Sequence, residues 1–140
     1  MNGDRAFVDT NVLVYAVDRN SPAKQARAQS LLEELAGLLV ISTQVLLEFY
    51  VTATRKLAKP LSQEDAERRV QELSGADVVE VTVPIVRSAI TLSREHRLSL
   101  WDGLIVESAR ARGCRRLFSE DLQHGREFGS VRVENPFRSS

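Results

Sequence analysis

The chain has 140 residues, with 19 basic and 19 acidic side chains, and 43% of its residues are hydrophobic. This length predicts a single domain, residues 1–140, that can bury a hydrophobic core. The balanced charge excludes a global electrostatic attraction to nucleic acid or to an anionic membrane, although a local basic surface would still suffice for a nucleic-acid substrate.

The single cysteine, Cys114, excludes an internal disulfide, and its surroundings lack the Cys and His spacing of a zinc site. The polar N-terminus leads into no signal-peptide apolar segment, and no apolar run approaches the roughly 20 residues of a membrane span. We therefore expect a cytoplasmic protein that has no membrane partner.

The first predicted element is a short strand at residues 6–8, followed by Asp9, Thr10 and Asn11. A wholly apolar run of this kind favours a strand that is buried on both faces. Asp9 then stands at the carboxyl end of the strand, where open α/β sheets place their ligands. Alternatively, Asp9 and Asn11 only begin a turn or cap the next helix, predicted at residues 12–17.

The next elements alternate between helix and strand. Ser21 and Pro22 predict a helix start, and Gly37 predicts its end after Leu35. We expect this helix to bury Ala26, Leu31, Leu32 and Leu35. A buried strand is predicted at residues 38–41, and a helix capped by Ser42 or Thr43 should continue to about Lys59, before Pro60.

The second half of the chain repeats this alternation. The predicted helices are residues 62–73, 84–96 and 99–112, and the predicted strands are residues 78–81, 116–118 and 131–133. Strands that alternate with helices imply a mostly parallel sheet covered on both faces. The sequence therefore predicts a three-layer α/β/α fold with a central sheet of four to five strands.

Four acidic residues occupy related positions in these elements, near the carboxyl ends of predicted strands: Asp9, Glu48, Asp102 and Asp121. If the strands are neighbours, the four carboxylates converge in one cleft and raise one another's pKa. A divalent cation such as Mg²⁺ or Mn²⁺, which prefers oxygen ligands, would compensate their charge. Each acid also has an ordinary structural interpretation, as a cap, a turn or a solvated position, and Glu120 competes with Asp121.

Four segments carry a resemblance to a known family. They are Phe7-Val8-Asp9-Thr10-Asn11-Val12-Leu13-Val14-Tyr15, Ser42-Thr43-Gln44-Val45-Leu46-Leu47-Glu48-Phe49, Trp101-Asp102-Gly103-Leu104-Ile105 and Phe118-Ser119-Glu120-Asp121-Leu122. In this order and spacing the sequence resembles the PIN-domain family, and within it the VapC-like toxins of toxin–antitoxin pairs. The resemblance covers essentially the whole chain.

The resemblance implies a PIN-like fold and an endoribonuclease that depends on Mg²⁺ or Mn²⁺. It places the catalytic, metal-binding acids at Asp9, Glu48, Asp102 and Asp121, and supporting polar residues at Thr10, Asn11 and Ser119. It also implies an RNA substrate, a cognate antitoxin protein that inserts a segment into the acidic cleft, and a homodimer.

Two further features lie near these motifs. Trp101 could stack on a nucleobase, although packing in the core is the expectation we favour for it. A basic cluster, expected near the cleft, could bind RNA phosphates or could simply be a solvated helix end. Its members are Arg110, Arg112, Arg115 and Arg116.

Two other functions remain possible at this point. Haloacid-dehalogenase-like phosphohydrolases also begin with an aspartate after a strand, so Asp9 could be a nucleophile. The second acid usual in those enzymes is replaced here by Asn11, which argues against this alternative. The chain could also be a non-catalytic interaction domain of the same fold.

Overall fold

The computed structural model describes residues 4–138. Its strands are β1 (Ala6–Val8), β2 (Leu39–Ser42), β3 (Asp77–Val79), β4 (Arg116–Phe118), β5 (Glu127–Phe128) and β6 (Val131–Glu134). Its helices are α1 (Thr10–Ala16), α2 (Pro22–Glu34), α3 (Thr43–Arg55), α4 (Gln63–Leu73), α5 (Val83–His96) and α6 (Leu100–Ala111). The predicted α/β class is thus confirmed.

The strands form one sheet in the order β3-β2-β1-β4-β6-β5. Strand β1 is central and pairs in parallel with both neighbours, so that Phe7 lies opposite Val40 on β2 and Leu117 on β4. All three residues of β1 are completely buried. Because successive side chains of a strand point to opposite faces, this burial requires helices on both sides of the sheet.

The sheet has six strands, so the predicted number of four to five is wrong. The strand that we did not predict is β5. It pairs antiparallel with β6, with Glu127 opposite Arg132 and Phe128 opposite Val131. A strand of two residues shows no alternation of polar and apolar side chains, and its position depends on pairing alone.

Most of the helices begin after a capping residue with a hydroxyl side chain. Ser42, Ser62, Thr82 and Ser99 each accept a hydrogen bond from the backbone N–H three residues later. These bonds satisfy N–H groups that have no partner within the helix. The caps at Ser42 and Ser99 also fix where α3 and α6 begin.

Two details of the predicted helices are wrong. Helix α2 and its C-cap bury Ala28 together with the predicted Leu31 and Leu35, whereas Ala26 is exposed because it lies on a different face of the helix. Helix α3 ends at Arg55, four residues before the predicted Lys59. The N–H of Leu61 then bonds to the carbonyl of Ala53 as the chain turns towards α4.

Helices α5 and α6 approach each other closely at Gly103. A Cβ atom at this position would lie 2.8 Å from the carbonyl oxygen of Ala89, closer than such atoms approach in proteins. The glycine therefore sets how near the first turn of α6, which carries Asp102, lies to α5. Within residues 4–138, no helix is long and apolar enough to cross a membrane.

Candidate active site

The four predicted acids line one open cavity, of about 710 Å³, at the carboxyl-terminal edge of the sheet. Asp9 directly follows β1 and caps α1, and Asp121 lies in the loop after β4. Glu48 and Asp102 come from α3 and from the first turn of α6. The topology thus brings together side chains that are more than 100 positions apart in the sequence.

Asp9 is the most enclosed of these acids, with only 4% of its surface exposed. Its Oδ2 accepts a hydrogen bond of 2.8 Å from the Ser119 hydroxyl, and its Oδ1 accepts one of 2.7 Å from the Thr10 N–H. Burial raises the pKa of Asp9 to about 7, with smaller contributions from the charges of Asp121 and Asp102. The two hydrogen bonds oppose this shift, because they favour the ionised carboxylate.

Asn11 connects Asp9 to Asp121. Its Nδ2 donates to Asp121 Oδ2 at 3.1 Å and more weakly to Asp9 Oδ2 at 3.5 Å. Its Oδ1 accepts the backbone N–H of Glu120 at 3.2 Å. One amide side chain thereby holds the loop after β4 against the start of α1 and sets the separation of two carboxylates.

Thr10 and Ser119, the other two predicted supporting residues, also contact the acids. The Thr10 hydroxyl donates to Glu48 Oε1 at 3.0 Å, which links α1 to α3. While donating to Asp9, the Ser119 hydroxyl accepts the backbone N–H of Asp121 at 3.1 Å. All seven predicted acidic and supporting residues therefore lie around this one cavity or in contact with a residue that lines it.

Asp102 is partly buried at the amino end of α6. Burial raises its pKa, and the negative charge of Asp121 raises it further, whereas a hydrogen bond with Ser99 lowers it. The negative charge of Asp121 thus makes the ionisation of both Asp9 and Asp102 less favourable. Such a cluster favours the binding of a cation.

Glu120 is oriented differently from Asp121. Its carboxylate accepts hydrogen bonds from the hydroxyl of Tyr15 and the ammonium group of Lys24. The Lys24 nitrogen also lies 4.6 Å from the centre of the Tyr15 ring and 5.5 Å from that of Phe137. Because both oxygens of Glu120 have these partners, Asp121 is the better candidate for a ligand.

Gln44 is a site residue that the sequence did not single out. It is 8% exposed, and its Nε2 donates to the Trp101 carbonyl at 3.2 Å and to Glu48 Oε1 at 3.5 Å. Within the described residues, its Oε1 is buried without a hydrogen-bond partner. The available signal was the spacing of four between Gln44 and Glu48, which places both side chains on one face of α3.

Two expectations about neighbouring residues are wrong. Trp101 is 61% exposed and lines the cavity, so it does not pack in the core. The basic cluster lies at the opposite edge of the sheet, where Arg116 begins β4 and Arg112 pairs with Asp77 at the start of β3. All four of its arginines are among the described residues, and none of them lines the cavity.

The donor set suits a hard divalent cation, since the cavity presents carboxylate oxygens from four acids. Within residues 4–138, however, no three Asp, Glu, His or Cys side chains are placed to ligate one ion directly. Mg²⁺ usually binds proteins through one or two carboxylates and keeps several waters, so it does not require three direct protein ligands. The raised pKa of buried Asp9 is the second observation that fits a cation, because a nearby positive charge would favour its ionised form.

The PIN domain family matches residues 6–126, which include every acid of the cavity. The chain belongs to the PIN domain family. A search of curated protein sequences finds no significant match. The family assignment therefore rests on the match over most of the chain, and the solved structures give an independent check of the fold.

Several solved structures share the PIN fold of this chain. A toxin–antitoxin complex from Klebsiella pneumoniae has a TM-score of 0.72 at 20% identity, covering 96% of this chain and 99% of its own. VapC20 of Mycobacterium tuberculosis, described as a sarcin–ricin loop cleaving toxin, has a TM-score of 0.67 at 19% identity, covering 83% of this chain and 91% of its own. VapBC2 of Rickettsia felis, bound to a promoter DNA fragment, has a TM-score of 0.65 at 20% identity, covering 93% of this chain and 97% of its own.

Proposed function

We propose that this PIN domain, residues 1–140, is an endoribonuclease that depends on Mg²⁺ or Mn²⁺. The observation that carries the proposal is the placement of Asp9, Glu48, Asp102 and Asp121 around one cavity. Asp9 is buried there with its carboxylate already oriented by Ser119 and Thr10. Structural acids at a protein surface do not need this arrangement, because solvent compensates their charge.

The proposed roles follow from the contacts of each residue. Asp9, Glu48, Asp102 and Asp121 would hold the cation, partly through water. Asn11 and Ser119 orient two of these carboxylates, and Thr10 orients Glu48. The bound ion would contact a phosphate oxygen, lower the pKa of the attacking water and offset charge that develops during in-line displacement.

The proposed biological role is that of a toxin controlled by an antitoxin. It is supported by family membership and by the similar structures, which include toxin–antitoxin complexes and a sarcin–ricin loop cleaving toxin. The antitoxin would insert a segment into the acidic cavity and block it. We further propose that the protein acts in the cytoplasm as a homodimer.

RNA cleavage by the purified protein tests this function. We expect cleavage of single-stranded RNA with Mg²⁺ or Mn²⁺, no cleavage after chelation, and a loss of at least about 100-fold in Asp9→Asn. The matched control is Glu67→Gln, which neutralises an exposed acid on α4 away from the cavity. Equal cleavage by the wild type and Asp9→Asn would overturn the role of Asp9.

The phosphohydrolase alternative is disfavoured by the surroundings of Asp9. A nucleophilic carboxylate must reach the phosphorus atom, whereas Asp9 is 4% exposed and both of its oxygens accept hydrogen bonds. The trapping of a phosphoaspartate on Asp9 would restore this alternative. Failure of Mn²⁺ to bind the wild-type protein would instead favour a non-catalytic interaction domain.

A further inference from the structure

Trp101 is exposed at the mouth of the acidic cavity. It is 61% exposed, directly precedes Asp102 in the chain and lines the same cavity. Leu47, which is 70% exposed, stands in the same relation to Glu48 on α3. Two of the four proposed ligands are therefore each preceded by a large apolar side chain that the fold leaves uncovered at the cavity. An apolar surface in this position is typical of a binding site.

The backbone of Trp101 is held in place although its side chain is exposed. Ser99 caps α6 by accepting the N–H of Asp102 at 3.1 Å. Gln44 donates to the Trp101 carbonyl at 3.2 Å and contacts Glu48 through the same nitrogen. Because this backbone is already fixed, a ligand that packs against the ring has to order only the two side-chain torsions of Trp101, which limits the entropic cost of binding.

The charge of the residues that line the cavity indicates which kind of interaction can hold an RNA substrate there. Among the described residues that line it, one is basic, Lys56, and six are acidic: Asp9, Asp18, Glu48, Asp102, Glu120 and Asp121. The protein therefore repels a phosphodiester here, and a cation can offset only part of that repulsion. Contacts that do not involve charge can supply the remaining affinity, and stacking on a nucleobase is such a contact.

We propose that the indole of Trp101 stacks on an unpaired base of the RNA, next to the phosphate that lies at the carboxylates. This inference rests on the proposed ribonuclease function and adds a substrate-binding residue to it. An aromatic platform accepts every base because each base has a π-face, whereas a base inside a duplex is already stacked. Trp101 therefore selects single-stranded or looped RNA over duplex RNA, with little preference among bases.

Steady-state cleavage of a single-stranded RNA in Mg²⁺ tests this contact. We expect Trp101→Ala to raise KM between about 5- and 150-fold with a smaller change in kcat, and Trp101→Phe to retain most of the affinity. Val83→Ala removes another exposed apolar side chain, on α5 and away from the cavity, and should leave KM unchanged. An unchanged KM in Trp101→Ala, with a wild type that cleaves RNA, overturns the stacking proposal and leaves the ribonuclease function intact.

Fluorescence gives a second readout, because Trp101 is the only tryptophan of the chain. With the cleavage-deficient Asp9→Asn protein, we expect a single-stranded oligoribonucleotide to quench the emission and an abasic oligomer of equal length to leave it unchanged. Equal quenching by both oligomers would contradict stacking. An emission shift that follows protein concentration without RNA would mean that a second copy covers Trp101. If the wild type cleaves no RNA with either metal, the proposed function itself fails.

Discussion

The hydroxyl oxygen of Ser119 lies 2.8 Å from Asp9 Oδ2, although the two residues are 110 positions apart. The same oxygen accepts the backbone N–H groups of Asp121 at 3.1 Å and of Leu122 at 3.4 Å. Ser119 thereby uses its single proton for Asp9 and its lone pairs for the loop that carries Asp121. One small side chain joins the ends of the two central strands, β1 and β4.

We predict that Ser119→Ala raises the pKa of Asp9 above about 7 and lowers the free energy of unfolding by about 1–3 kcal/mol. The variant removes a hydrogen bond that favours the ionised carboxylate and leaves two backbone N–H groups without their acceptor. NMR titration of the metal-free protein measures the pKa, and urea denaturation measures the stability. Ser88→Ala, an exposed position on α5, is the control and should change stability by less than about 0.5 kcal/mol. An unchanged Asp9 pKa would contradict the prediction.

The positions of these acids were predictable because they depend on topology. In a parallel sheet, residues that follow strands meet at one edge, so that Asp9 and Asp121 can be placed from the pattern alone. The hydrogen bonds of Ser119 and Asn11 could be expected only through the family resemblance. Their lengths and directions depend on how the loop after β4 packs against α1, which no local pattern encodes.

Other features depend on tertiary packing and could not be predicted from the sequence. Trp101 is an aromatic residue beside a helix cap, and the same pattern fits a core position or an exposed one. The arginines of the basic cluster are close to Asp102 in sequence, but α6 is about 18 Å long and Asp102 lies in its first turn, whereas Arg110 lies in its last turn, near the other edge of the sheet. Strand β5 is defined only by its pairing with β6, and no pattern of its two residues predicts that pairing.

The metal-free protein should lose stability as the pH rises from about 4 to 7. The pKa of Asp9 is about 7 in the folded protein, against the ordinary aspartate value of 3.8 that applies to the unfolded chain. The folded state therefore binds the proton more tightly, and the stabilisation is complete below pH 3.8 and lost as the pH passes 7. Three pKa units correspond to roughly 4 kcal/mol.

Comparison with Asp9→Asn isolates this effect, because the amide does not titrate. Urea denaturation in the presence of a chelator should show the wild type losing stability relative to the variant between pH 4 and 8. Added Mg²⁺ should raise the stability of the wild type more at pH 8 than at pH 5, and should have little effect on Asp9→Asn. Parallel pH curves for the two proteins would show that Asp9 does not titrate as expected.

Gln44 is predicted to position Glu48 and the start of α6. Gln44→Met keeps the length of the side chain but removes the donor that reaches both Glu48 Oε1 and the Trp101 carbonyl. We expect RNA cleavage to fall about 10- to 100-fold, as is usual for residues that orient metal ligands. The control is Gln71→Met on α4, an exposed glutamine outside the cavity.

A structural role and a positioning role for Gln44 predict different results. Because Gln44→Met also removes the buried unpaired Oε1, its cost in stability should stay below about 1.5 kcal/mol. The apparent affinity for Mn²⁺ should fall together with the cleavage rate. Lower activity with unchanged Mn²⁺ affinity would mean that Gln44 acts through Trp101 rather than through Glu48.

The close approach of α5 and α6 at Gly103 sets the position of Asp102. In Gly103→Ala, the added Cβ would lie 2.8 Å from the Ala89 carbonyl oxygen, and neither backbone can yield without moving its helix. We expect the free energy of unfolding to fall by about 1–3 kcal/mol, the usual cost of overpacking, despite the better helix propensity of alanine. Gly75→Ala, where the added atom would lie 3.3 Å from the Glu72 carbonyl oxygen, is the milder control. Because the displaced helix α6 carries Asp102, cleavage activity measured below the unfolding transition should also fall. A Gly103→Ala protein as stable as the wild type would show that α5 and α6 can separate without cost.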